Sequence, residues 1–158
     1  MVHEPDDPVR GATTDDVNRD LDEQRVRDVA RLRGADEAAI SDRLAELDRE
    51  WDVERVLELN AASLTLVGVA LSRLHSPRWL VLSTIVPGFL VQHALQGWCP
   101  PIEVFRRLGV RTRREIDTER TALKALRGDF ADVPARDADT GAAPEEVARL
   151  ALEVSARR

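Results

Sequence analysis

The chain has 158 residues, a formal net charge of −6 and charged side chains at 33% of its positions. That acidity excludes a phosphate-neutralising nucleic-acid surface, which needs clustered cations. Cys99 is the only cysteine, so no disulfide forms within the chain.

Residues 1–13 carry three acids, two prolines and little to bury, which predicts a disordered acidic N-terminus. The same stretch lacks the basic and apolar regions of a cleavable signal peptide. A cytoplasmic helical segment is expected over 14–51. Its first helix, 14–33, has Val17, Leu21, Val29 and Leu32 partly in phase and Gly34 to end it. Asp36 caps a second helix, in which Ile40, Leu44, Leu47 and Trp51 form a narrow apolar stripe. The stripe fits a solvated amphipathic helix better than a coiled coil, which needs several heptads.

Between Trp79 and Trp98 the chain runs for twenty residues without Asp, Glu, Lys or Arg. As a helix this segment measures about 30 Å, the thickness of a hydrocarbon core, and a tryptophan marks each end as interfacial belts do. The preceding stretch, 56–74, has a charge-free run of only fourteen residues, Leu59 to Ser72. It reaches spanning length when Glu58 and Arg73 extend to the headgroups. Ser76-Pro77 breaks the helix between the two. The expected fold is therefore all-α: a two-helix transmembrane hairpin within 52–108, flanked by cytoplasmic amphipathic helices. Eight arginines lie near the outer ends of the pair (Arg43, Arg49, Arg55, Arg106, Arg107, Arg111, Arg113, Arg114) and two, Arg73 and Arg78, in the loop. The positive-inside rule then puts both termini in the cytoplasm.

After the second span, Pro100-Pro101 stops the helix. Ile102, Phe105 and Leu108 beside Arg106 and Arg107 form an interfacial pattern, apolar residues toward the acyl boundary and cations toward headgroups. Thr112 and Glu115 make a capping box for a cytoplasmic helix within 109–131, carrying Ile116, Leu123, Leu126 and Phe130, with Gly128 near its end. The polar tail, 132–158, ends in a short helix from about Pro144, with Val147, Leu150, Ala151 and Val154 on one side.

Within the spans, Ala61, Thr65, Gly68 and Ser72 fall on one face of small side chains, suited to close contact with the second span or another copy. Pro87-Gly88 predicts a kink, since the ring removes the bond to the Ser83 carbonyl; the Ser83 and Thr84 hydroxyls are candidates to relieve it. Glu58 and His93 lie equally far from the loop midpoint, and Asn60 and Gln92 nearly so. A polar cluster of Glu58, Asn60, Gln92, His93 and Gln96 is therefore expected in the cytoplasmic leaflet, as hydrogen-bond glue or, alternatively, a proton or solute relay. Cys99 sits where the second helix meets the interface. Arg106 and Arg107 favour its thiolate, the helix C-terminus opposes it, and a structural cysteine is the favoured reading. No metal-ligand spacing and no nucleotide, metalloprotease or hydrolase motif occurs.

The stretch from Asp52-Val-Glu-Arg55 through the loop to Gln92-x-Ala-x-x-Gly-Trp-Cys-Pro100 resembles the YgaP-like inner-membrane hairpin, a bacterial domain. The likeness covers roughly residues 51–108 and is most specific at Gln92, Gly97, Cys99 and Pro100; His93 and Gln96 depart from the usual small residues. In some relatives the hairpin follows a rhodanese sulfurtransferase domain, for which the fifty residues ahead are too few here. The resemblance implies a self-associating membrane hairpin without sulfurtransferase activity.

The expected protein is thus a non-enzymatic inner-membrane anchor or assembly module. It has no cofactor or metal, is embedded in lipid as a homodimer, and presents its tails to a cytoplasmic partner. Two alternatives stand beside it: Cys99 as persulfide acceptor in sulfur transfer, and a soluble helical interaction protein with the hairpin as its core.

Overall fold

The computed structural model describes residues 7–133 and 143–156; among these, every regular element is helical and no strand occurs. In chain order the elements are α1 (Pro8–Gly11), α2 (Asp15–Leu32), α3 (Glu37–Leu47), α4 (Val53–Leu74), a 3-10 turn (Pro77–Trp79), α5 (Leu80–Gln96), α6 (Ile102–Arg107), α7 (Arg113–Arg127) and α8 (Pro144–Ala156). Side chains set several of these starts by accepting hydrogen bonds from otherwise unpaired N–H groups: Asp7 for α1, Asp36 for α3 and Asp52 for α4. The capping box of α7 closes in both directions. Thr112 N donates to Glu115 Oε2 at 2.8 Å, and Glu115 N donates to Thr112 Oγ1 at 3.3 Å.

The described chain divides into two compact units, and the division cuts α2 and α7. The first unit holds residues 7–25 and Trp51–Ile116. In it α4 and α5 pack as an antiparallel pair; α4, and α5 taken with the 3-10 turn before it (Pro77–Gln96), are long and apolar enough to cross a membrane. At the pair's open end, Val9, Val53, Leu57, Cys99 and Ile102 form a small apolar core, with Phe105 and Val110 against it. Val53 N donates to the Arg111 carbonyl at 2.9 Å, tying the start of α4 to the segment before α7.

Several boundaries differ from the sequence expectation. Residues 1–6 lie outside the described residues, but 7–13, expected to be disordered, are ordered: Asp7, Val9, Arg10 and Thr13 are buried around α1. Polar side chains that pair inside the fold escape a count of apolar residues. Helix α3 stops at Leu47, so Trp51 lies beyond it and is exposed, under the Arg55 guanidinium at 4.2 Å. Helix α4 begins at Val53 because Asp52 caps it, and its 22 residues cover about 33 Å. Helix α5 ends at Gln96, before Trp98. Gly97 takes the left-handed conformation there (φ +70°), and its N–H bonds the His93 carbonyl. Pro87 lies inside α5, which continues through it. Neither expected hydroxyl serves the freed Ser83 carbonyl: Ser83 Oγ donates across to Thr65 O at 3.0 Å, and Thr84 Oγ1 donates to Leu80 O at 2.9 Å.

The second unit comprises Val26–Glu50 and, among the described residues, 117–133 and 143–156. Ile40, Leu44, Leu47, Leu123 and Val154 are buried there. Charged side chains stitch its elements together: Arg43 Nε donates to the buried Glu119 at 2.9 Å, Arg120 reaches Asp48 at 3.1 Å, and Lys124 Nζ donates to Ser155 O at 2.7 Å. Helix α8 presents Val147, Leu150, Ala151 and Val154 inward as expected, and Val154 is fully buried.

Candidate functional site

The hairpin of the first unit is built around one close approach. Gly68 is buried on the face of α4 that carries Ala61, Thr65 and Ser72. A Cβ on Gly68 would stand inside van der Waals contact of Ser83 Oγ and 3.1 Å from both Ser83 N and Trp79 O. With the Ser83–Thr65 hydrogen bond beside it, this small-residue face meets α5 of the same chain. It is not left open for a second copy.

Outside that contact and the apolar core at the base, the hairpin is uncovered. No residue of α5 is buried, and Leu66 of α4 and Leu95 of α5 are 70% and 79% exposed. Of the pair, only Val53, Leu57, Ala61 and Gly68 are buried, all of them on α4. A shallow cavity of about 200 Å³ opens near the base, lined by Leu57, Ala61, Leu64, Phe89, Cys99 and Pro100 among others.

The expected polar cluster is only partly assembled. Glu58 and Gln96 are exposed, and Asn60, Gln92 and His93 are half-buried. It is Glu54, one turn before Glu58, that interacts electrostatically with His93. Glu54 Oε2 and His93 Nδ1 are both buried without a hydrogen-bond partner. Antiparallel counting from the loop therefore placed the partner of His93 one turn, about 6 Å, too near the loop. The stripe Ala61, Thr65, Gly68 and Ser72, carried back toward the start of α4, is centred on Glu54, and Glu58 stands about 40° to one side of it.

Beneath the apolar core lies a cluster of charged side chains that the sequence did not announce. Arg106, expected to face headgroups, is 1% exposed. It donates to both oxygens of the buried Glu115, at 2.5 and 2.7 Å, and to Asn18 Oδ1 at 3.1 Å. Arg10 bridges Glu115 to Asp22, bonding both Asp22 oxygens at 3.0 Å, and Arg25 pairs with Asp22. Asp7 accepts from Thr112 Oγ1 at 2.8 Å. Burial alone pushes the Glu115 carboxyl up, but the hydrogen bonds and charge of Arg106 and Arg10 outweigh it and hold the group below the usual carboxylate range. Asp22 is lowered likewise, its burial outweighed by Arg10 and Arg25.

Residues 7–13 strap this base. A Cβ on Gly97 would lie 2.6 Å from Pro8 C and 2.7 Å from Pro8 O, so the end of α5 and the start of α1 touch through backbone. Val9 enters the core against Cys99, which is 5% exposed. Burial pushes the Cys99 thiol up, and Arg106, one of its two expected activators, is committed to Glu115. Both facts work against a thiolate and fit a structural cysteine. Among the described residues no group of three His, Cys, Asp or Glu side chains is placed to hold a metal.

Comparison of the chain with family models, curated proteins and solved structures found no match. The resemblance to the YgaP-like hairpin therefore rests on the residues quoted above alone.

Proposed function

We propose that this chain is a small integral membrane protein whose α4–α5 hairpin crosses the bilayer and whose helical base, on one side, serves as a non-enzymatic anchor or assembly module. One observation carries the reading: two helices of spanning length pack against each other, while no residue of α5 is buried. In water such a surface is costly at about 25 cal/mol per Å² of apolar area; in hydrocarbon it costs nothing. Asp7, Asp22, Arg106 and Glu115 gather at the hairpin's open end, which supports both tails lying on one side. The positive-inside count makes that side the cytoplasm, and the resemblance makes the membrane a bacterial inner membrane. Self-association, as a homodimer, would use the outward Leu and Val faces, since the Gly68 face is occupied within the chain. A partner protein in the cytoplasm would meet the polar helices.

Alkaline carbonate washing of membranes tests the anchor. Retention in the pellet, with release only by detergent, is expected. Release into the supernatant overturns the reading.

A further inference from the structure

We propose that the base carries a collar, formed by Trp51, Trp98, Val104 and Leu108, that lies in the headgroup and upper acyl region of the phospholipid bilayer. The proposal rests on the membrane reading above and adds to it a second, in-plane contact with lipid. Ile102 and Arg106, four residues apart, are both 1% exposed, which fixes how α6 is rolled. Its other side is therefore turned outward. Val104 is 56% and Leu108 74% exposed there, beside the exposed Arg107. An outward apolar face with a cation next to it suits a helix lying at the acyl boundary.

The surrounding residues continue that surface. Trp98 follows the uncovered α5 directly and is 45% exposed; no charged residue intervenes between it and α6. Trp51 precedes α4, is 42% exposed, and carries Arg55 over its ring. An indole with its cation at the end of an apolar helix has the amphipathic character that the interface selects. The segments are held in one layer: Ile102 packs with Val53 and Cys99, Val53 N bonds Arg111 O, and Val110 N bonds Phe105 O. Phospholipid is the occupant, because the collar is continuous with the uncharged hairpin and alternates indole, aliphatic and guanidinium groups.

The test uses the full chain in phosphatidylcholine vesicles, with one tryptophan kept and the others changed to Phe. Acyl-brominated phosphatidylcholine quenches from the lipid and iodide from the water. Trp79 reports the hairpin and Trp51 the collar. Shallow bromines should lower Trp51 emission about twofold while iodide has little effect, and Val104→Asp with Leu108→Asp should remove most of that quenching. Both changed positions are exposed, so the fold tolerates them. Iodide quenching of Trp51, protection from both quenchers, or no response to the double substitution overturns the collar while a lipid-quenched Trp79 leaves the hairpin standing. Loss of lipid quenching at Trp79 as well removes the hairpin, and the collar with it.

Discussion

Along α5 no residue is buried although none is Asp, Glu, Lys or Arg, whereas at the base Arg10, Asp22, Arg25, Arg106 and Glu115 are all buried although all are ionisable. In the membrane reading proposed above, the two regions follow different solvents. In the hairpin, with apolar surroundings, contact is chosen by fit, and Gly68 against Ser83 does the choosing. At the base a small apolar core and charged side chains are buried together. Charges are taken out of water there at a cost of several kcal/mol each, and only pairing on both sides makes that tolerable. Glu115, bonded by Arg106, Arg10 and Thr112 N, is the member on which most of the pairing converges.

The largest effect that would break this contrast lies at Glu115. Glu115→Ala leaves two buried guanidinium groups short of a partner and should cost about 3–5 kcal/mol, read as a lower Tm of the full chain in nanodiscs. A cost below about 1 kcal/mol would mean that the cluster is wetter than it looks. Acid should act next, on the same residues. Glu115 and Asp22 are held below the carboxylate range in the fold and return to roughly 4.3 and 3.9 when unfolded. The unfolded chain therefore binds more protons in between, so stability is full above those values and drains as pH falls through the folded ones. Circular dichroism from pH 6 to 2 should show the base melting while hairpin helicity persists, and simultaneous loss of both would count against separate solvents.

Gly97→Ala sharpens the comparison where the regions join. The left-handed backbone and the Pro8 carbonyl both oppose a side chain, for about 1–3 kcal/mol. Faster labelling of Cys99 by a bulky thiol reagent should accompany it, because the strap over that thiol loosens; unchanged labelling would detach the strap from Cys99 protection. The smallest effect is expected on the hairpin surface. Leu66→Ala should stay within about 0.5 kcal/mol in lipid, since no protein covers the side chain. A loss of about 2 kcal/mol or more would instead reveal a packed partner at that face.

The punctuation of the fold was legible residue by residue. Asp36 caps α3, the Thr112–Glu115 box opens α7 and Ser76-Pro77 divides the hairpin, because each acts through its own backbone neighbours. The small-residue face was legible too, since spacing along one helix determines a face. The Arg–carboxylate cluster was not. Its members come from residues 105 apart, as Arg10 and Glu115 are, and each arginine taken alone looks like solvated surface. Arg106 shows why: an arginine between Phe105 and Arg107 reads as headgroup contact until Ile102, one turn away, is known to face inward. Glu54 was reachable by carrying the 61–65–68–72 stripe back toward the N-terminus, and Glu58 displaced it because counting from the loop put the partner of His93 one turn too near the loop.

The seat of Pro8 on Gly97 also orders the birth of the molecule. A ribosome delivers residues 7–13 long before α5 and Glu115 exist, so the strap has nothing to grip until α5 has formed and the chain has emerged through α7. In the membrane reading proposed above, closure of the base follows insertion of the hairpin, and bulky groups fused close to Asp7 should trap newly made chains with the hairpin threaded but its foot unlatched.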